Sequence, residues 1–265
     1  MNDLGESNSQ LIGAWSYFAN RVSGGVVEEL GGVTAAFCRV PIAFFNIAFL
    51  VEPVSGPEEW EDRLRRACVW CERQNVPWLF CCAESAGQAV PGALERALER
   101  AGLAPMMPLT GMIADELLPP ARRLPELEYH LARDPQTTRW MGLLNQQAYG
   151  MPADSGLEGD FNDAVFGPDA YGVVGWHDGA PVSCTATILV AGRLYVAYVA
   201  TPPQHQRRGY AEAVMRRSLE EAARERGWRR SVLHATDAGR PVYARMGYRA
   251  VERYMLYSRA DSAAH

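Results

Sequence analysis

The residues with the clearest chemical potential form one short turn, TPPQHQRRGYA, between an apolar stretch ending at Ala200 and a helical period beginning near residue 207. A turn that runs into a helix presents backbone N–H groups with no intrahelical acceptor, and the positive end of the helix dipole adds to them. Such a site suits a pyrophosphate. Gly209 and Ala211 keep side chains out of the way of phosphate oxygens, and Arg207 and Arg208 bring positive charge. The plainer alternative is that Gly209 only caps a turn and the arginines only solvate a helix.

The surrounding elements must hold this turn at the end of a strand. Residues 127–132 read as a strand, 135–149 as a helix and 160–166 as a short helix. Residues 171–177, 181–190 and 193–200 read as three strands. The turns HDGA and VAGR join them as hairpins, so an antiparallel meander is expected. A long helix over 207–226, a strand at 231–235, a helix at 240–246 capped by Thr236 or Asp237, and a strand at 248–257 complete the half.

The first half alternates in the same manner: helix 7–21, strands 32–39 and 42–51, helix 57–74, strand 78–83, helix 91–101, strand 106–115. The run LLPPARRLP at 117–125 has paired prolines and no apolar period, and reads as a linker. The expected fold class is α/β (α+β), in two domains covering 1–118 and 119–265, each a mixed, mostly antiparallel sheet flanked by helices.

Composition excludes several chemistries. The 265 residues contain no lysine, which removes a P-loop lysine and any Schiff-base lysine. Residues 1–120 carry 8 arginines against 15 acids, and residues 121–265 carry 18 against 16, so an anionic ligand would prefer the second half. Arginines alternate with glutamates along helix faces, which argues against nucleic acid as a partner. Residues 34–51 are strongly apolar, but Arg39, Pro41 and Asn46 interrupt them well short of the ~20 residues a membrane span needs.

The six cysteines, Cys38, Cys68, Cys71, Cys81, Cys82 and Cys184, lie in apolar stretches without a preceding secretory signal. Reduced thiols in the cytoplasm are expected. Cys68 and Cys71 form a CxxC inside an amphipathic helix with no second pair at zinc-site spacing, and packing is the expected role. No metal is expected.

The turn, together with the segment after it, resembles the GNAT superfamily of acyl-CoA-dependent N-acyltransferases. The family's Gln/Arg-x-x-Gly-x-Gly/Ala pattern after its fourth strand is met by Gln206, Gly209 and Ala211, with Pro203 preceding. About thirty residues on, the family places a tyrosine four residues before a Gly-aromatic pair, met here by Tyr243, Gly247 and Tyr248. The resemblance implies acetyl-CoA as cosubstrate, held by Tyr198, Val199, Ala200, Gln206, Arg207, Arg208, Gly209, Tyr210 and Ala211. It also implies Tyr243 as the acid that protonates the leaving thiolate, although a helix tyrosine buried for packing is the competing reading.

The implied reaction is direct attack of a small primary amine on the thioester, with the carbonyl held by a backbone N–H near Val199 or Ala200. In the family, strands four and five splay here to admit the pantetheine arm. Many members carry a glutamate base on the fourth strand, whereas this chain has LYVAYVA there. His177 and His234 are base candidates by their ordinary pKa, beside a water chain or an acceptor that arrives neutral. Asp154, Glu158, Asp160, Asp163 and Asp169 could attract a cationic amine where the family's acceptor lid lies, or could form a solvated loop.

Residues 1–116 loosely resemble the same fold, and LERAGL at 98–103 echoes the end of the Tyr243 helix, but no phosphate-loop pattern comes after residues 42–51. A degenerate first domain that binds no coenzyme is expected. The functional expectation is an acetyl-CoA-dependent N-acetyltransferase, cytoplasmic and monomeric or homodimeric. The alternatives are a non-catalytic acyl-CoA-binding or regulatory module, or transfer to a protein N-terminus.

Overall fold

Two tight turns set the register of the meander. Asp178 and Gly179 have φ of 51° and 75°, and Ala191 and Gly192 have φ of 43° and 79°. Two consecutive left-handed residues give a type I′ turn, whose twist matches that of antiparallel strands. They join β7 (Ala170–His177) to β8 (Ala180–Val190) and β8 to β9 (Arg193–Ala200). The computed structural model describes residues 1–88, 92–151 and 164–260. The expected short helix at 160–166 and, of the five acids in the expected acceptor region, all but Asp169 lie mainly or wholly outside those residues.

The chain divides into two units by its contacts. One comprises Met1–Met112, His234–Arg240 and Ala250–His265, and the other Ile113–Leu233 and Pro241–Arg249. Both are mixed α/β. A single cut at 118/119 does not reproduce this division, because the chain's last strand is grouped with the first unit.

In the second unit, β6 (Glu128–Leu131) pairs antiparallel with β7, and β10 (Ser231–Ala235) pairs parallel with β9 at Ser231↔Leu194 and Val232↔Tyr195. Two long helices, α5 (Pro135–Tyr149) and α6 (Tyr210–Arg226), pack on these strands. Asp134 starts α5 by accepting from the Thr137 backbone N–H at 2.9 Å and from its hydroxyl at 2.8 Å. Gly150 ends α5 at φ 62°. In α6, Val214, Met215 and Leu219 turn into the core, each contributing about 1.5–3 kcal/mol by burial. The helix begins three residues later than the apolar period suggests, because Arg207 and Gly209 adopt left-handed φ of 62° and 87° that cannot continue a helix.

In the first unit the strand order is β1 (Val26–Glu29), β2 (Thr34–Phe37), β3 (Asn46–Leu50), β4 (Leu79–Ala83), β11 (Arg249–Arg259) and β5 (Leu103–Ala114). The helices are α1 (Asp3–Ala19), α2 (Pro57–Glu72), α3 (Glu84–Gly87) and α4 (Ala93–Arg100). β3 and β4 stay paired in parallel from Ile47↔Leu79 to Leu50↔Cys82. β11 enters this unit by antiparallel pairing with β4, from Tyr254↔Ala83 to Tyr257↔Phe80. Trp60, Phe37, Phe49 and Phe80 fill the core. Cys71 on α2 is fully buried, and burial pushes its thiol up, while Cys68 is raised to about 11, so neither is a ready nucleophile.

Residues 115–127 contain neither helix nor strand, as expected of a linker. Their path is nonetheless fixed within the second unit. The Leu118 N–H donates to the Met246 carbonyl at 2.9 Å, and Asp115 pairs with Arg230. Among the described residues no helix is long and apolar enough to cross a membrane.

Candidate functional site

The site is built where β9 loses its regular geometry. Opposite Thr185 the register shifts, from Ala186↔Ala197 to Cys184↔Ala200, so Tyr198 and Val199 together face one residue of β8. This is a β-bulge, and Tyr198 carries its strain at φ 55°. On the other side, the parallel ladder to β10 ends at Tyr195, four residues before Val199. The paired first-unit strands β3 and β4 have no such interruption.

The bulge aims its peptides. The Cys184 thiol donates to the Tyr198 carbonyl at 3.5 Å, and the Ala200 N–H donates to the Cys184 sulfur. In a trans peptide, C=O and N–H point in opposite directions, and no cis bond is present among the described residues. Val199 therefore presents both its N–H and its C=O away from Cys184. Of the two expected residues, the Ala200 N–H is engaged by Cys184, and the Val199 N–H points away from it. Ala200 itself is buried, and its carbonyl accepts from the Ser183 hydroxyl at 3.0 Å.

A tyrosine not singled out in the sequence meets this bulge. The Tyr149 hydroxyl donates to the Val199 carbonyl at 2.9 Å. The residue as a whole is 55% exposed, while burial around its hydroxyl pushes its pKa up to about 12. Tyr243, on α7 (Arg240–Arg245), lies near enough for Tyr149 to oppose its ionisation. Burial first, then Tyr149 and Tyr248, hold the Tyr243 phenol well above its ordinary value, so it keeps its proton at neutral pH. The Tyr248 ring stands edge-on to Tyr243 at 6.2 Å, and its own hydroxyl is tied to Ser231 at 2.7 Å.

The predicted phosphate turn comes directly after β9. Residues Pro203–His205 make one 3-10 turn, and the Gln206 side chain ties back to the Thr201 carbonyl at 3.1 Å. The first intrahelical bond of α6 runs from the Ala213 N–H to Gly209 at 3.1 Å, so Tyr210, Ala211 and Glu212 precede any intrahelical acceptor. Arg207 and Gly209 have left-handed φ, a conformation that recurs in backbone turns whose N–H groups bind anions. Arg207 and Arg208 are exposed. The Tyr210 side chain is buried, with its ring 5.4 Å from that of His177, so its outward contribution is the backbone.

The linker lies over both motif glycines. A Cβ on Gly209 would meet the Arg122 guanidinium at 3.2 Å and Pro125 at 3.3 Å. A Cβ on Gly247, whose φ is 103°, would meet the Leu118 side chain at 3.0 Å. Arg122 thus joins Arg207 and Arg208 as a cation at the turn, which no local sequence pattern announces.

The two candidate histidines are placed elsewhere. His177 contacts Asp178 at 3.1 Å and packs on Tyr210 at the start of α6. His234 belongs to the first unit, where its Nε2 lies 3.2 Å from the Ser7 hydroxyl and burial lowers its pKa to about 3. Ser7 also bonds the Tyr254 hydroxyl at 2.9 Å, and Tyr254 donates to Asn8 at 2.6 Å. A ring so engaged and so weakly basic is a structural group rather than a proton acceptor. Asp169 is paired with Arg226 at 3.3 Å.

Residues 187–251 match the family described as "Acetyltransferase (GNAT) domain". A GCN5-related N-acetyltransferase from Kribbella flavida superposes with a TM-score of 0.68 at 18% identity, covering 97% of this chain and 95% of that one. The fold is that of the GNAT acyltransferases. A tandem GNAT protein from the clavulanic acid biosynthesis pathway superposes with a TM-score of 0.56 at 13% identity, over 96% of this chain and 94% of that one. A GCN5-related N-acetyltransferase from Sphaerobacter thermophilus gives 0.58 at 16%, over 85% and 76%. No curated protein sequence matches the chain.

Proposed function

We propose that the second unit binds acetyl-CoA and transfers its acetyl group to the primary amine of a small molecule. The observation that carries this reading is the conjunction, within one unit, of a left-handed turn at Gln206–Ala211 and a bulged strand end at Tyr198–Ala200, whose Val199 carbonyl is held by Tyr149, a neighbour that raises the pKa of Tyr243. The turn, with Arg207, Arg208 and Arg122, would hold the pyrophosphate. The arm would then run along Val196–Ala200, beyond the end of the β10 ladder.

The chemistry uses those groups in turn. The amine nitrogen attacks the thioester carbonyl carbon, forming a C–N bond, and the oxygen that gains charge is met by the Val199 N–H. As the C–S bond breaks, the departing thiolate takes the proton of Tyr243, which solvent restores. The proton released by the amine passes to solvent or a water-bridged base. His234 is not used, because Ser7 and burial hold it.

Among its described residues the first unit carries no counterpart of the turn, and β3 and β4 stay paired from Ile47↔Leu79 to Leu50↔Cys82. Both features support a reading in which it binds no coenzyme, with domains near 1–118 and 119–265 as sequence units. Steady-state thiol release from acetyl-CoA across a panel of small primary amines tests the proposal. Turnover with at least one amine, lost on Tyr243→Phe, is the expected result. Coenzyme binding without turnover for every amine, or turnover confined to peptide N-termini, would replace it with the module or the N-terminal reading.

A further inference from the structure

The α5 helix grips the bulge from two sides. Asn145 and Tyr149 are four residues apart, so they share one face of α5. Asn145 donates to the Cys184 sulfur at 3.4 Å, and that sulfur is bonded to both the Tyr198 carbonyl and the Ala200 N–H. Tyr149 takes the Val199 carbonyl between them. Val199 is thereby held directly from α5, and its neighbours Tyr198 and Ala200 are held by Cys184 of β8, which α5 also contacts.

Such holding is needed because the conformation is costly. A left-handed φ on a tyrosine is strained, and persists only where neighbours over-determine it. The Cys184 contacts hold the Tyr198–Val199 and Val199–Ala200 peptides at their β8 side. The Val199 N–H belongs to the first of these planes and its carbonyl to the second, so the Tyr149 bond restrains the second plane and, with it, the Val199 torsions that join the two.

We propose that Tyr149 is a positioning residue of the acyl-transfer site, whose hydroxyl anchors the Val199 carbonyl and so aims the Val199 N–H at the thioester oxygen. This rests on the acetyl-CoA reading. Tyr149 touches neither reacting atom. Its effect passes through the Val199 backbone torsions, and removing the hydroxyl alone should leave the phosphate turn untouched.

Tyr149→Phe deletes that hydroxyl and keeps the ring. The probe is acetyl-CoA labelled with carbon-13 at the thioester carbonyl, observed by isotope-edited infrared spectroscopy when bound. In the wild type the carbonyl stretch should fall below its value in water. In Tyr149→Phe it should return toward that value, while the Kd of unacylated CoA changes less than about twofold. With an amine that turns over, kcat should drop roughly 3- to 10-fold at constant KM for acetyl-CoA, the size expected of one lost hydrogen bond. An equal stretch in both proteins, or a loss confined to KM, overturns the proposal while coenzyme binding stands. Failure of the wild type to bind acetyl-CoA overturns the underlying reading as well, and is recognised by the absence of any bound spectrum.

Discussion

The Tyr149 hydroxyl donates to the Val199 carbonyl at 2.9 Å, and the same phenol raises the pKa of Tyr243. Two phenols from helices far apart in sequence are thus close enough to interact, and one of them holds the bulged strand at Val199.

Tyr243→Phe should lower kcat by roughly 100-fold or more, the usual scale of a lost general acid, with CoA affinity unchanged. The pH profile carries a second check. Activity that needs the neutral phenol is lost as pH rises through its pKa, and that pKa lies above its ordinary value near 10. Rates measured from pH 7 to 10 should contain no alkaline fall attributable to this group.

Arg122→Ala should weaken CoA binding roughly fivefold at low salt, and less at high salt, because the guanidinium over Gly209 is exposed and screened. Titrations at two ionic strengths measure this. Equal affinity of variant and wild type at low salt would remove Arg122 from the phosphate site.

Gly111→Ala should destabilise the protein by about 1–3 kcal/mol in chemical denaturation. A Cβ there would lie 2.2 Å from the Ser7 hydroxyl and 3.0 Å from the Tyr254 ring. Neither group can retreat easily, since Ser7 is bonded to both Tyr254 and His234.

His234 should make the folded protein acid-sensitive. Its folded pKa, about 3, lies below the ordinary value of 6.5, so the unfolded chain binds the extra proton between those pH values. The stabilisation is complete above pH 6.5 and declines as pH falls toward 3, by at most about 1.4 kcal/mol per pH unit. Denaturation at pH 7, 6 and 5 should therefore have a steeper decline in the wild type than in His234→Gln.

Much of the second unit was legible in sequence. Pro135–Tyr149, Arg193–Ala200 and Ser231–Ala235 have the bounds their apolar periods give. The start of α6 was misplaced because Arg207 is a good helix former by type and is held left-handed by the turn. β1, four residues ending in two glutamates and half-exposed, has no apolar alternation to reveal it. Tyr149 and Arg122 carry no sequence signal for a different reason. Each acts across a long separation, 50 residues to Val199 for Tyr149, and no local spacing encodes such contacts. The grouping of β11 with the first unit is likewise a matter of strand pairing with β4, which periodicity does not specify.

Coenzyme binding at the Gln206–Ala211 turn is tested by calorimetric titration of the whole chain with CoA, beside Gly209→Glu. One CoA per chain and loss of binding in the variant are expected, since a side chain at φ 87° is strained and its carboxylate would meet the phosphates. No binding by the wild type, two sites per chain, or undiminished binding by Gly209→Glu would contradict a single phosphate site built on this turn.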